Sequence, residues 1–229
     1  MTSFHKRVSA PQNGRPQVTA ERILYVVDDD PVVSDSLISL VEARSGIACR
    51  AFRNGEALLD ALHDLAPGCV VLDLELEGIA SFHIMKVLSE NIERFRTIVV
   101  TGIADLSAAI DAFRLGAVDF LFKPYEVRPL LDAIERAFHL LQTGAEPAAL
   151  VADAQNRLAL LSSEEAAILA RLVRGETNQA IADAMALDER MVQIARARAL
   201  AAIEAPSILA AMRIAAIAGW PPAQGNPGT

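Results

Sequence analysis

The sequence predicts an α/β fold, a doubly wound five-stranded parallel sheet, followed by a smaller all-helical domain. Three patterns carry that expectation. From residue 23 to 141, short β-branched or apolar runs alternate with amphipathic stretches whose apolar residues recur three and four apart. The central runs are almost continuously apolar, as strands covered by helices on both faces must be. After Gln142 the strand alternation stops and only the helical period remains.

Taken in order, the first 20 residues mix Pro, Gly and polar side chains without periodicity, which predicts a disordered tail over 1–20. Strands are expected at 23–27, 48–52, 69–72, 97–100 and 119–122. Helices are expected between them at 32–43, 56–65, 82–90 and 107–115, and a fifth at 128–141 closes a first domain over 21–142. Asp30 before Pro31 is a favourable start for the first of these helices. The stretch 143–156 (TGAEPAALVADAQN) carries Gly, Pro and many alanines and reads as a linker. A second domain over 157–218 holds helices at 164–173, 178–185, 189–203 and 207–217, with Gly175 as a stop and Asp188 as a start. The Pro/Gly-rich ending 219–229 reads as a second disordered tail.

With 229 residues, 52% of them hydrophobic, the chain can bury one or two cores. Its 21 Lys+Arg against 29 Asp+Glu give a net charge of -8, which argues against a surface that is basic throughout, as a nucleic-acid glove or a membrane patch would be. A small basic face remains compatible with it. The two cysteines, Cys49 and Cys69, have neither metal-ligand spacing nor the number a disulfide framework needs, and they suit a reducing cytoplasm. Mean hydropathy is +0.30, yet no run approaches the roughly 18 apolar residues of a membrane span, and 1–20 has no signal-peptide core. Neither export nor a membrane partner is expected.

In a parallel α/β sheet, ligands gather beyond the carboxyl ends of the strands. Those ends are polar here: Asp28-Asp29-Asp30 after the first strand, Asp73 after the third, Thr101 after the fourth, Lys123-Pro124 after the fifth. Adjacent strands lie about 4.8 Å apart, so carboxylates at neighbouring ends converge on one point. Such a cluster repels itself unless a cation joins it, and oxygen-only ligands suit Mg²⁺. One carboxylate is then placed to attack a phosphoryl donor, with the Lys123 ammonium and the Thr101 hydroxyl available to the phosphoryl oxygens. Proline after Lys123 stiffens that loop and makes a cis bond accessible.

The segments ILYVVDDDP, CVVLDLELEG, TIVVTG and LGAVDFLFKP resemble, in order and spacing, the flavodoxin-like receiver domain of bacterial two-component response regulators, and LGAVDFLFKPY is similar to the FixJ-type branch. The resemblance implies that Asp73 is the phospho-acceptor and that Asp28, Asp29 and Asp73 bind Mg²⁺ with the main-chain carbonyl of Glu75. It further implies that Lys123 contacts the phosphoryl group, that Thr101 and Phe120 form a switch pair, and that Asp30 need not touch the metal. The chain departs from the family's D-x-x-M-P loop: Leu76 and Glu77 replace methionine and proline, and Ser81 stands where glycine is common. The side chains of Glu75 and Glu77 are expected to face solvent.

In the second domain a short helix, a tight turn and a longer helix form the order of a helix-turn-helix. Leu161-Ser162, Glu165, Gly175, Asn178, Ile181-Ala182, Val192, Arg196 and Ser207 resemble the LuxR/FixJ-type DNA-binding pattern. Met191, Gln193 and Ala195 replace the usual Thr, Lys and His of the recognition helix, and Ala202 replaces a common lysine. Over 150–229 there are seven arginines, no lysine and eight acids, a net of −1, so weak, salt-sensitive DNA binding or a need for dimerisation is expected. Arg190, Arg196 and Arg198 are the candidate DNA contacts, helped by Asn178, Gln179 and Gln193.

The expected function is a transcriptional response regulator, phosphorylated by a sensor histidine kinase and dimerising through the surface near 107–122. The alternative keeps the receiver and makes the helical domain a protein-docking module that does not bind DNA. An aspartyl-phosphate phosphatase is disfavoured, because Asp73-Leu74-Glu75 lacks a second Asp two residues on and the acidic pair precedes the nucleophile.

Overall fold

The computed structural model describes residues 22–76, 78, 80–103, 106–144 and 147–221. The tail expected over 1–20, the part of 219–229 beyond 221, and Glu77 lie outside the described residues. Five strands, β1 (Ile23–Val27), β2 (Ala48–Phe52), β3 (Gly68–Asp73), β4 (Phe95–Thr101) and β5 (Asp119–Phe122), pair in parallel in the order β2-β1-β3-β4-β5. Helices α1 (Pro31–Ser45), α2 (Gly55–Ala61), α3 (Ser81–Ser89), α4 (Leu106–Arg114) and α5 (Val127–Thr143) alternate with them. The sheet order reverses at β1 and β3, which places a crevice beyond the ends of those two strands.

The period of two along each strand divides the interior into layers. Leu24 and Val26 face Leu37 and Val41 of α1 and Ile134 and Phe138 of α5. Tyr25 and Val27 belong to the opposite core, with Leu58 of α2, Ile84 and Leu88 of α3, and Phe113 of α4. The close fit shows at Gly68, where a Cβ would lie 2.5 Å from the Ile23 carbonyl oxygen. Helix α1 begins on Asp30, whose side chain accepts from the Val32 N–H at 2.8 Å, with Pro31 in the first turn. Helix α2 ends short of the expected residue 65. Arg94 donates to the carbonyls of Leu65 at 2.6 Å and His63 at 3.3 Å, holding them in turns.

The expected linker is mostly helical: α6 (Pro147–Leu158) crosses it. Proline at the first position and an alanine-rich run favour a helix, and Ala154 and Leu158 are buried on the main core. Helices α7 (Ser163–Val173), α8 (Asn178–Met185), α9 (Glu189–Ala202) and α10 (Ile208–Ile217) complete the chain. Ser162 and Glu165 form a capping box at α7, and Asp188 caps α9 by accepting from the Met191 N–H at 2.8 Å. A separate core of Ile168, Leu172, Ile181, Ala182, Val192 and Ala195 joins α7, α8 and α9.

Helix α10 binds the two halves together. It packs on α6 and α7 and lies across α4 of the sheet domain, so one apolar cluster runs from Phe113 and Phe120 to Met212, Ile214 and Ala215. The surface around α4 and β5, expected to serve dimerisation, is therefore covered by α10 within one chain. Among the described residues no helix is long and apolar enough to cross a membrane.

Candidate functional site

β1 and β3 are neighbours in register, Val27 opposite Leu72, so the residues that follow them emerge side by side. Asp28, Asp29 and Asp73 each place a carboxylate oxygen within 4.8 Å of the others. Asp28 and Asp73 are each only 3% exposed, whereas Asp29 is open to solvent. Three carboxylates at this separation call for positive charge. Lys123, carried just past β5, provides part of it, with Nζ 2.9 Å from Asp28 Oδ2 and 2.7 Å from Asp73 Oδ2. Burial opposes the lysine's charge, but hydrogen bonds and attraction from Asp73 and Asp28 prevail and push its pKa up to about 12. The Lys123-Pro124 bond is cis. An all-oxygen donor set with one exposed member is the chemistry of a hard divalent cation, and these residues fit Mg²⁺.

Backbone donors hold both buried acids in place. The Asp30 N–H donates to Asp28 Oδ1 and the Glu75 N–H to Asp73 Oδ1, each at 3.0 Å. Asp30 itself serves α1 as a cap. Ser81 does more than replace a glycine: it is buried, and its hydroxyl donates to the Leu74 carbonyl at 3.0 Å, tying the loop after β3 to the start of α3. Leu76 packs partly buried against the core.

Glu75 is exposed, as expected, but it is not free of the protein. Its carboxylate reaches over the loop, and Oε2 accepts from the Gly102 N–H. The amide beside Thr101 is thereby satisfied by a carboxylate, a charge-assisted hydrogen bond. A Cβ at residue 102 would lie 2.7 Å from that oxygen, so glycine makes the approach possible. Thr101 is buried, and its hydroxyl oxygen accepts from the Ile103 N–H at 3.1 Å. Phe120 is 0% exposed, edge-on to Phe122 at 5.3 Å and tilted against Phe113 at 6.4 Å. Its ring thus already lies inside, at the foot of the α10 contact. Sequence reasoning passed over Tyr125, whose phenol is pushed upward by burial and lies within electrostatic reach of Lys123, Asp28 and Asp73.

In the helical domain the turn between α8 and α9 contains Ala186 at φ 53°, and α9 rests on α7 and α8 through Val192, Ala195 and Ala199. Arg190, Gln193 and Arg198 are exposed on α9, Arg196 is half-buried, and these three arginines form no ion pair among the described residues. Gln193 lies 3.5 Å from Glu189, and Gln179 donates to Asp183 at 2.9 Å. Asn178 opens α8, half-buried. Two apolar side chains share this outer surface, Met191 at 43% exposure, already noted in the sequence as a departure, and Ile194 at 37%, which was not.

Comparison with known proteins accounts for both halves. Residues 24–135 match the response regulator receiver domain, and residues 159–215 match the LuxR family of bacterial regulatory proteins. Over 202 residues the chain is 33% identical to the transcriptional regulatory protein FixJ of Bradyrhizobium diazoefficiens, covering 88% of this chain and 98% of that protein. It is 28% identical to the response regulator protein TmoT of Ectopseudomonas mendocina, covering 85% and 88%. Among solved structures, full-length FixJ from B. japonicum aligns with a TM-score of 0.52 at 33% identity, covering 88% of this chain and 98% of that one. With a receiver and a LuxR-type helix-turn-helix along most of its length, matched by a relative over both, the chain belongs to the FixJ family of two-component response regulators, which act as transcriptional regulators.

Proposed function

We propose that a partner histidine kinase phosphorylates Asp73, and that phosphorylation frees the helical domain to bind promoter DNA as a dimer. The observation that carries this reading is the pairing of Asp73 with Lys123 at 2.7 Å beside Asp28 and Asp29. Asp73 Oδ attacks the phosphorus as the phosphorus–nitrogen bond to the donor imidazole breaks. Lys123 pairs with the phosphoryl oxygens, and the Thr101 hydroxyl donates to another. Asp28, Asp29, Asp73 and the Glu75 main-chain carbonyl would hold Mg²⁺, which supplies charge neutralisation between the incoming phosphoryl group and the acids. Asp73 is modified once per cycle, in keeping with a regulator rather than a turnover enzyme.

We assign the receiver to 21–142, the connection to 143–156 and the effector domain to 157–218. Dimerisation through α4 and β5 requires α10 to leave that face, which couples the phosphorylated state to release of the effector domain. Phe120, buried on β5 against Phe113 of α4, and Thr101 form the link from the site to that face. Arg190, Arg196 and Arg198, with Asn178, Gln179 and Gln193, are the proposed DNA contacts, and the exposed Met191 and Ile194 suit thymine methyl groups. The compartment consistent with free thiols at Cys49 and Cys69 is the cytoplasm.

The test is a gel-shift titration at low salt with full-length protein, with and without acetyl phosphate and Mg²⁺. A specific retarded complex is expected that depends on phosphorylation and weakens in Arg196→Ala. A phosphorylated protein that retards no DNA at any salt concentration supports the protein-docking role instead.

A further inference from the structure

Five arginines from five separate elements surround one cavity of about 490 Å³ between the receiver and the effector domain: Arg96 of β4, Arg114 of α4, Arg136 of α5, Arg157 of α6 and Arg213 of α10. Arg114 is largely exposed and paired with Asp111 at 3.4 Å. Phe113, Leu150 and Ile214 supply apolar wall between them. Small-molecule sites have this size and this mixture of apolar wall with a few convergent polar groups, about 300–1,000 Å³.

The other arginines are poorly matched by the protein itself. Arg96 is 8% exposed, its side chain makes no hydrogen bond or ion pair with any described residue, and its Nε is buried without an acceptor; burial disfavours its charge, which Glu93 offsets only in part. Arg136 reaches Asp119, yet its Nε is also buried and unpartnered. Arg213 donates only to the Val118 carbonyl, at 3.4 Å; burial disfavours its charge, and attraction from Asp119 is opposed by repulsion from Arg136 and Arg157. Arg157 is 3.8 Å from the Glu204 carboxylate and donates to the Glu204 carbonyl at 3.0 Å. Among the described residues Asp153 is the one carboxylate lining the cavity. Guanidinium groups withdrawn from water with few acceptors, as at Arg96 and Arg213, are unfavourable unless an anion joins them.

We propose that this cavity binds a small amphipathic carboxylate, its carboxylate group among the guanidinium groups and its apolar body against Phe113, Leu150 and Ile214. Walls from both domains mean that the ligand fits only while α10 lies on α4. It therefore holds the domains together and opposes their separation by mass action, a chemical input to the regulator beside phosphorylation. The charge supplied by Arg96 and its neighbours sets the preference for an anion, and the apolar wall sets the preference for an acid with a hydrocarbon or aromatic body over a bare inorganic ion.

Octanoate is a suitable probe, with octanol and inorganic phosphate as its two halves. Full-length, unphosphorylated protein is titrated without Mg²⁺, and binding is followed by calorimetry and by the fluorescence of Trp220, the single tryptophan, which packs partly buried beside α10. Octanoate is expected to saturate at one per chain, with octanol and phosphate at least tenfold weaker. Arg96→Met and Arg157→Met are expected to weaken octanoate at least tenfold while leaving octanol unchanged. In the phosphorylated protein, saturating octanoate is expected to lower DNA affinity several-fold. Equal affinities for octanoate and octanol, non-saturating uptake, or octanoate binding unchanged in the arginine variants would overturn the proposal. Should Arg96→Met not fold, the half-buried Arg157→Met decides by the same criterion.

Discussion

Replacing Lys123 with methionine keeps the length of the side chain and removes the charge that Asp28 and Asp73 share. Both acids are almost wholly buried, with side chains 4% exposed, and the lysine side chain is 22% exposed, so solvent screens this pair little. Removing one partner of a buried ion pair costs about 3–5 kcal/mol, and the partial exposure of Lys123 puts this case near the lower figure. At about 2–4 °C per kcal/mol for a chain of this length, Lys123→Met lowers the unfolding midpoint by roughly 6–12 °C in EDTA. Added Mg²⁺ should return part of that loss, because it restores positive charge among the carboxylates, so the gap to wild type narrows. Thermal unfolding followed by circular dichroism measures both conditions. A midpoint within 2 °C of wild type in EDTA, or a gap indifferent to Mg²⁺, refutes the charge-sharing geometry.

Three further substitutions probe the loop, the connection between domains and the helix-turn-helix. Glu75→Ala frees the Gly102 N–H and removes an anion from the path of a dianionic donor; phosphorylation by acetyl phosphate in Mg²⁺ should accelerate about fivefold, equivalent to ~1 kcal/mol, as read by phosphate-affinity electrophoresis. An unchanged or slower rate counts against that role for Glu75. Ile214→Ala removes apolar contact between α10 and the receiver; with about 1.5–3 kcal/mol at stake for a buried isoleucine, DNA affinity of the unphosphorylated protein should rise on the order of tenfold in fluorescence anisotropy. Ala186→Gly relieves a left-handed backbone at the end of α8 and should stabilise the effector domain by about 0.5–1 kcal/mol in urea unfolding.

The strands were legible because each carries a continuous apolar run ended by a polar residue. Those same polar residues marked the site, since strand ends in a parallel sheet lie together whatever their distance along the chain. Asp28, Asp29, Asp73 and Lys123 converge for that reason. What stayed hidden depends on tertiary contact. The carbonyls at the end of α2 are taken by Arg94, thirty residues on, which no local pattern reports. Alanine-rich 147–158 looked like a linker because Gly and Pro flank it, although alanine is the strongest helix former and Leu158 had a core to enter. Glu75 is exposed as expected, but its hydrogen bond stayed hidden because the partner is a backbone amide twenty-seven positions away. The α10 contact on α4 had a faint signal: 208–217 is apolar on nearly every side, the mark of a helix buried on two faces rather than one. Arginines 96, 114, 136, 157 and 213 show no pattern in sequence, and only the docking of α10 and α6 brings them to one cavity.

The assignment of phosphoryl chemistry to Asp73 is tested most directly by trapping. Protein treated with acetyl phosphate and Mg²⁺ is reduced with borohydride, which converts an aspartyl phosphate to homoserine, and the modified position is located by peptide mass spectrometry. Homoserine at residue 73, absent when Mg²⁺ is chelated and absent in Asp73→Asn, is the predicted result. Homoserine at residue 28 or 29, or undiminished labelling of Asp73→Asn, would contradict it.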